Sequence, residues 1–218
     1  MPKKAIIAGA SGLIGSKLLN IVLLKPDYDE VLILVRKELS IKHNKLTQLI
    51  IDFDQLERYK ERIAAHALFC CLGSTRKKTP DLADYRKIDH DYPLKLAKLA
   101  RQNDIIQYHL VSAIGANATS SNFYSKMKGE VENDIKQIGL KCFHIYRPSL
   151  LTGDRKESRK GERIAAWLMQ VINPFLIGKL KKYRSIPATI VALAMFKEST
   201  KNKDGVFIHP SDEIKLLV

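Results

Sequence analysis

The chain has 218 residues, 45% of them hydrophobic and 28% charged, with 37 basic side chains against 23 acidic ones and a formal charge of +14. Such a composition excludes a disordered polycation, and a chain of this length buries about 70% of its unfolded surface in one domain. The charge points to an anionic partner, and no apolar run reaches the ~20 residues that a membrane-spanning helix needs.

Residues 5–8 form a short apolar run ending at Gly9, which predicts a fully buried parallel strand. From Leu13 to Leu24 apolar residues recur at helical spacing, and Pro26 stops the helix. Buried strands are predicted over residues 31–35, 46–53, 67–72 and 105–111, with a long helix over 81–101 that is irregular near Pro93. A helix over 123–138, a sixth strand over 142–146, a helix over 188–196 and an edge strand over 206–209 complete the series. Strands alternating with helices predict an α/β fold: a doubly wound parallel sheet with helices on both faces.

Residues 155–184 break this pattern. Nine basic and two acidic side chains give the segment +7, half the excess of the whole chain, beside the lone Trp167. It reads as a basic helical insertion on the substrate side of a single domain spanning 1–218. Three readings stay open: it selects an acidic or phosphorylated small-molecule substrate, it contacts an anionic membrane surface through Trp167 and Phe175, or its charges are simply solvated. Nucleic acid is the weaker partner, because no nucleic-acid fold or stacking pattern accompanies the charge. Monomer and homodimer both stay open.

The turn Gly9-Ala10-Ser11-Gly12-Leu13-Ile14-Gly15 joins the first strand to the first helix. Here Gly9 permits a tight turn, Gly12 lets backbone approach a pyrophosphate, and Gly15 allows close helix–strand packing. The helix N-terminus adds unpaired N–H groups and about half a positive charge. Arg36 lies 21 residues beyond Gly15, where an acid would hold the ribose of NAD. A guanidinium there pairs with a 2′-phosphate, so the predicted cofactor is NADP(H).

Ser112 follows the fifth strand, and Tyr124 and Lys128 stand four residues apart on the next helix. That spacing places both side chains on one face. Tyrosine, with a pKa near ~10, is a poor base at neutral pH, and a nearby ammonium stabilises its phenolate. Ser112 would orient the reacting oxygen, Tyr124 would serve as acid and base, and Lys128 would also reach the nicotinamide ribose.

These residues, together with Tyr146-Arg147-Pro148-Ser149, resemble the atypical NAD(P)H-binding branch of the short-chain dehydrogenase/reductase superfamily. Residues 69–76, 121–123, 128–132 and 154–159 are similar to the Tat-interacting oxidoreductase-like proteins within it. The resemblance spans roughly residues 4–200. It implies a Rossmann-like sheet and cofactor contacts from Ser11, Gly12, Leu13, Ile14 and Arg36. It also implies Asp52 and Phe53 near the adenine, Cys71, Leu72 and Gly73 along the cofactor, and Pro148 with Leu150 or Leu151 beside the nicotinamide. One departure is Ala113 after Ser112, where superfamily members often pair serines or threonines; Ser121 is a weaker substitute.

The expected function is an NADP(H)-dependent oxidoreductase acting on a carbonyl or alcohol. The rival is an NADP(H)-sensing regulatory protein with little or no turnover. The six histidines are scattered without ligand spacing, so no metal is expected. Residues 89–91 read as capping and solvation rather than chemistry. Cys70, Cys71 and Cys142 lack metal-ligand spacing and read as reduced thiols, and residues 1–8 are too short an apolar lead for a signal peptide; both predict a cytoplasmic location.

Overall fold

Next to the central strand of the sheet, β1 (Lys4–Ala8) pairs with β2 (Glu30–Val35) on one side and with that central strand, β4 (Ala67–Cys70), on the other. The computed structural model describes residues 2–153, 176 and 178–218. β3 (Leu46–Ile50), β5 (Gln107–Val111), β6 (Cys142–Arg147) and β9 (Gly205–Pro210) extend the sheet to seven parallel strands in the order β3-β2-β1-β4-β5-β6-β9. The chain winds outward to β3 and then returns to β4, so the strand order reverses between β1 and β4. Ligands of such sheets bind at that reversal, outside the carboxyl ends of the strands.

Helix α1 (Leu13–Leu24) lies on one face and buries Leu18, Leu19, Val22 and Leu23. Each such side chain contributes roughly 1.5–3 kcal/mol of burial. Two further helices, α2 (Leu82–Arg86) and α3 (Tyr92–Gln102), come after β4, and α4 (Phe123–Gln137) comes after β5. Leu96 and Leu99 of α3 and Val131 and Ile135 of α4 pack on the opposite face from α1. Helix α5 (Ala188–Ser199) packs beside α1 through Val191, Ala192 and Met195, and α6 (Ser211–Ile214) succeeds β9.

Three local features differ from the sequence reading. The third strand stops at Ile50 rather than residue 53, because the Asp52 carboxylate accepts the Asp54 N–H at 2.9 Å and turns the chain into a 3-10 segment over Phe53–Arg62. The helix expected over 81–101 is broken into α2, a single π turn over Lys87–Asp91, and α3. Its cause is Pro93, which cannot donate to the Asp89 carbonyl and crowds it; the Tyr92 N–H bonds Lys87 instead. A small second sheet pairs β7 (Leu151–Thr152) with β8 (Ile186–Pro187), which the sequence did not suggest. Of the basic insertion, residues 155–175 and 177 lie outside the described residues, Trp167 and Phe175 included; Gly178–Tyr183 forms a 3-10 turn.

Candidate dinucleotide and redox site

The glycine turn sits at the β1/β4 reversal. Gly9 has φ +86°, and a Cβ there would lie 2.5 Å from the Cys71 carbonyl oxygen at the end of β4. A Cβ on Gly15 would lie 2.2 Å from the Gly9 carbonyl, so both glycines are set by backbone approach. Gly12 caps α1 without any side-chain hydrogen bond, and no acid stands in its first turn. The N–H groups of Leu13 and Ile14 are therefore left to an anionic group, and these residues fit a pyrophosphate. Gly15→Ala should weaken dinucleotide binding and destabilise the fold by about 1–3 kcal/mol, read by urea unfolding and by dinucleotide titration.

At the end of β2, Arg36 is exposed and lines a cleft with Ile51, Asp52, Phe53, Asp54 and Tyr92. The Asp52 carboxylate accepts the Asp54 N–H and the Gln55 side-chain amide, two hydrogen bonds that hold it below the usual carboxylate range. The Phe53 ring lies 5.5 Å from that of Tyr92, whose hydroxyl donates to Asp54. Ser11 is exposed in the glycine turn itself.

Past β4, Cys71 donates its N–H to Ala8 and Leu72 precedes Gly73, where a Cβ would lie 3.5 Å from the Asp89 carboxylate. The Asp89 carboxylate accepts the Ser74 N–H at 2.7 Å and pairs with the Lys128 ammonium at 2.8 Å. Lys128 and Asp89 are only 3% and 2% exposed. This overturns the expectation of solvation at Asp89 and His90, though not at the partly exposed Asp91: the π turn aims Asp89 inward, and His90 is buried between Asp91 and Asp134. Burial opposes the Lys128 charge, but the Asp89 carboxylate beside it holds the ammonium well above its ordinary pKa.

Tyr124 stands one turn before Lys128, whose ammonium is 5.9 Å from its ring centroid. The ring is 38% exposed and stacks on Tyr85 of α2, with centroids 6.4 Å apart. Tyr85 and Asp89 are the two residues that sequence reasoning missed. The available signal was Pro93 inside a helical pattern, which marks a displaced turn four residues upstream.

Ser112 is not drawn into this pair. Its buried hydroxyl donates to Glu132 of α4 at 2.5 Å, and Glu132 also accepts Arg147 from the end of β6. The hydroxyl expected to orient a substrate oxygen therefore donates to a buried carboxylate in this structure, with its lone pairs still able to accept. Ser121 is exposed at the entry to α4. Pro148 is buried and its carbonyl accepts the Ile114 N–H. Leu150 is half exposed, and Leu151 pairs with Ile186 in the small sheet.

No family model matches the chain. Among curated proteins it is 34% identical over 208 residues to Protein HTATIP2 of Rattus norvegicus, across 93% of this chain and 84% of that protein. It is 31% identical over 183 residues to Protein FMP52, mitochondrial, of Candida albicans, across 77% of this chain and 80% of that protein. Among solved structures, the Bordetella bronchiseptica enzyme WbmH in complex with NAD+ superposes with a TM-score of 0.71 at 16% identity, over 96% of this chain and 76% of that one. The UDP-glucose 4-epimerase of Thermotoga maritima with UDP-glucose gives 0.70 at 14% identity, over 98% and 81%.

The fold is therefore the Rossmann-like type of these two structures, the first solved with NAD+ and the second with UDP-glucose. Within that class, the chain belongs to the family of Protein HTATIP2. The cytoplasmic location expected from the sequence does not stand, because FMP52 relatives from several fungi are named mitochondrial. Unpaired thiols and a short apolar lead do not distinguish the two compartments.

Proposed function

We propose that the chain binds NADP(H) at the β1/β4 reversal and moves a hydride between nicotinamide and a small carbonyl or alcohol. One observation carries the reading: the end of β4 joins the glycine cradle to the tyrosine–lysine pair through consecutive contacts. Cys71 touches Gly9, Gly73 lies against Asp89, and Asp89 holds Lys128 beneath Tyr124. When bound, the cofactor supplies the hydride acceptor or donor. The hydroxyl of Tyr124 exchanges the proton that balances this transfer at the substrate oxygen. Lys128, fixed by Asp89, keeps a positive charge 5.9 Å from the centre of the Tyr124 ring without moving. The uncapped first turn of α1 holds the pyrophosphate, and Arg36 takes the 2′-phosphate.

Titration of the wild-type protein with NADPH and NADH should show tighter NADPH binding, and Arg36→Asp should weaken NADPH by at least about tenfold, the loss of one charge-assisted contact. Equal affinities in the wild type would sink the NADP(H) assignment. A second reading, cofactor sensing with little turnover, draws support from Ser112, whose hydroxyl donates to Glu132. A wild-type protein that binds NADPH but oxidises it with no member of a broad carbonyl panel would favour that reading.

A further inference from the structure

Three histidines far apart in sequence meet on the face of the sheet covered by α1 and α5, opposite the face that carries Tyr124 and Lys128. The register sets His109 of β5 against His144 of β6, and His144 against Phe207 of β9. Their rings stack face to face with Phe69 of β4, at 4.7, 4.7 and 4.9 Å between successive centroids. His109 is tied at both ring nitrogens, to the Tyr146 hydroxyl and the Gln107 amide oxygen. His144 is different: its Nδ1 lies 2.9 Å from Nε2 of His209, and its Nε2 lies 3.2 Å from Sγ of Cys142. Glu198 of α5 completes the group, fully buried, and the ligand atoms of His144, Glu198 and His209 all lie within 4.8 Å of one another.

We propose that His144, His209 and Glu198 form a binding site for one divalent transition metal of the zinc type, which clasps α5 and β9 to β6. Two imidazole nitrogens and one carboxylate oxygen are a donor set suited to such a borderline cation, with a fourth position left for water. Metal ligands must present lone pairs, and both imidazoles are buried, at 0% and 8% exposure. A tetrahedral ion with bonds near 2.05 Å needs the two nitrogens about 3.3 Å apart with lone pairs converging on one point; here the rings lie 9° from parallel with centroids 5.3 Å apart and the nitrogens face each other at 2.9 Å, so the His209 ring turns as the ion enters.

The proton that His144 and His209 share need not leave the protein. With His144 as its Nε2–H tautomer, that proton faces Cys142 Sγ and Nδ1 is free to bind. His209 then carries its proton on Nδ1 and presents Nε2. The Glu198 carboxylate is balanced by the Lys201 and Lys203 ammoniums at 2.5 and 3.1 Å. Both lysines are close to half exposed, so they move into water as the ion takes their place. Entry is from the edge, since β9 is the terminal strand of the described sheet and His209 is 8% exposed.

The test uses the full-length protein, stripped of metal and titrated with Co2+ and Zn2+. One equivalent of Co2+ should produce visible ligand-field absorption that Zn2+ abolishes. His209→Asn and Glu198→Gln, confirmed folded by circular dichroism, should each bind at least about tenfold more weakly. One equivalent of Zn2+ should raise the melting temperature of the wild type and of neither variant. Wild-type affinity in both folded variants, or no stoichiometric site in the wild type, overturns the proposal. If a variant does not fold, X-ray absorption at the zinc edge of the wild type decides. Two imidazoles and no sulfur support the site, whereas a sulfur ligand assigns the ion to Cys142 and overturns it.

Discussion

Tyr124→Phe should lower turnover by about 10²–10⁴-fold while NADPH affinity stays near that of the wild type. On the proposed role, the size reflects the loss of the hydroxyl that exchanges a proton with the substrate oxygen. Packing does not account for it. The ring keeps its stack on Tyr85 and its place over Lys128, and at 38% exposure the lost hydroxyl leaves no buried partner unsatisfied. Stability should therefore change by no more than about 0.5 kcal/mol. NADPH oxidation against a carbonyl panel, with dinucleotide binding measured in parallel, separates the two effects. A variant with wild-type turnover would remove Tyr124 from the chemistry altogether.

The second large effect falls on stability. Asp89→Asn leaves the Lys128 ammonium buried at 3% exposure without a counter-charge, and should cost about 3–5 kcal/mol of unfolding free energy. Asparagine still fills the space and still accepts the Ser74 N–H, so the loss reports the charge and not a cavity. Adding Lys128→Met should restore much of it, because the ammonium left without a counter-charge is then gone. Urea unfolding of the two variants and the wild type gives the comparison. If Asp89→Asn unfolds at the wild-type midpoint, the pair is not holding Lys128 as described.

Where a signal was local, the sequence was legible. Helix α1 runs over Leu13–Leu24 as its spacing predicts, and the buried apolar runs at β1, β2 and β4 lie within a few residues of their expected bounds. The glycine turn was equally readable, since its demands come from the strand before it and the helix after it. What escaped was set by distance along the chain. His144 and His209 meet only because β6 and β9 are neighbours in one register, which no spacing in the sequence encodes. Ser112 was read as facing a substrate because its neighbours in sequence suggested it, while its partner Glu132 comes from the next helix. Asp89 looked like a capping residue because the irregularity expected near Pro93 did not say which way the side chains before it would turn.

That wider turn has a geometric meaning. An α-helix advances about 100° per residue, so a π turn inserts one residue of angular phase between the helical stretches on its two sides. Before and within it stand Tyr85 and Asp89, directed at α4; after it come Leu96 and Leu99, directed at the sheet. A regular screw through residues 82–102 could satisfy either set but not both. The extra residue acts as a gear offset, letting one stretch of chain face the site and the core at different angles.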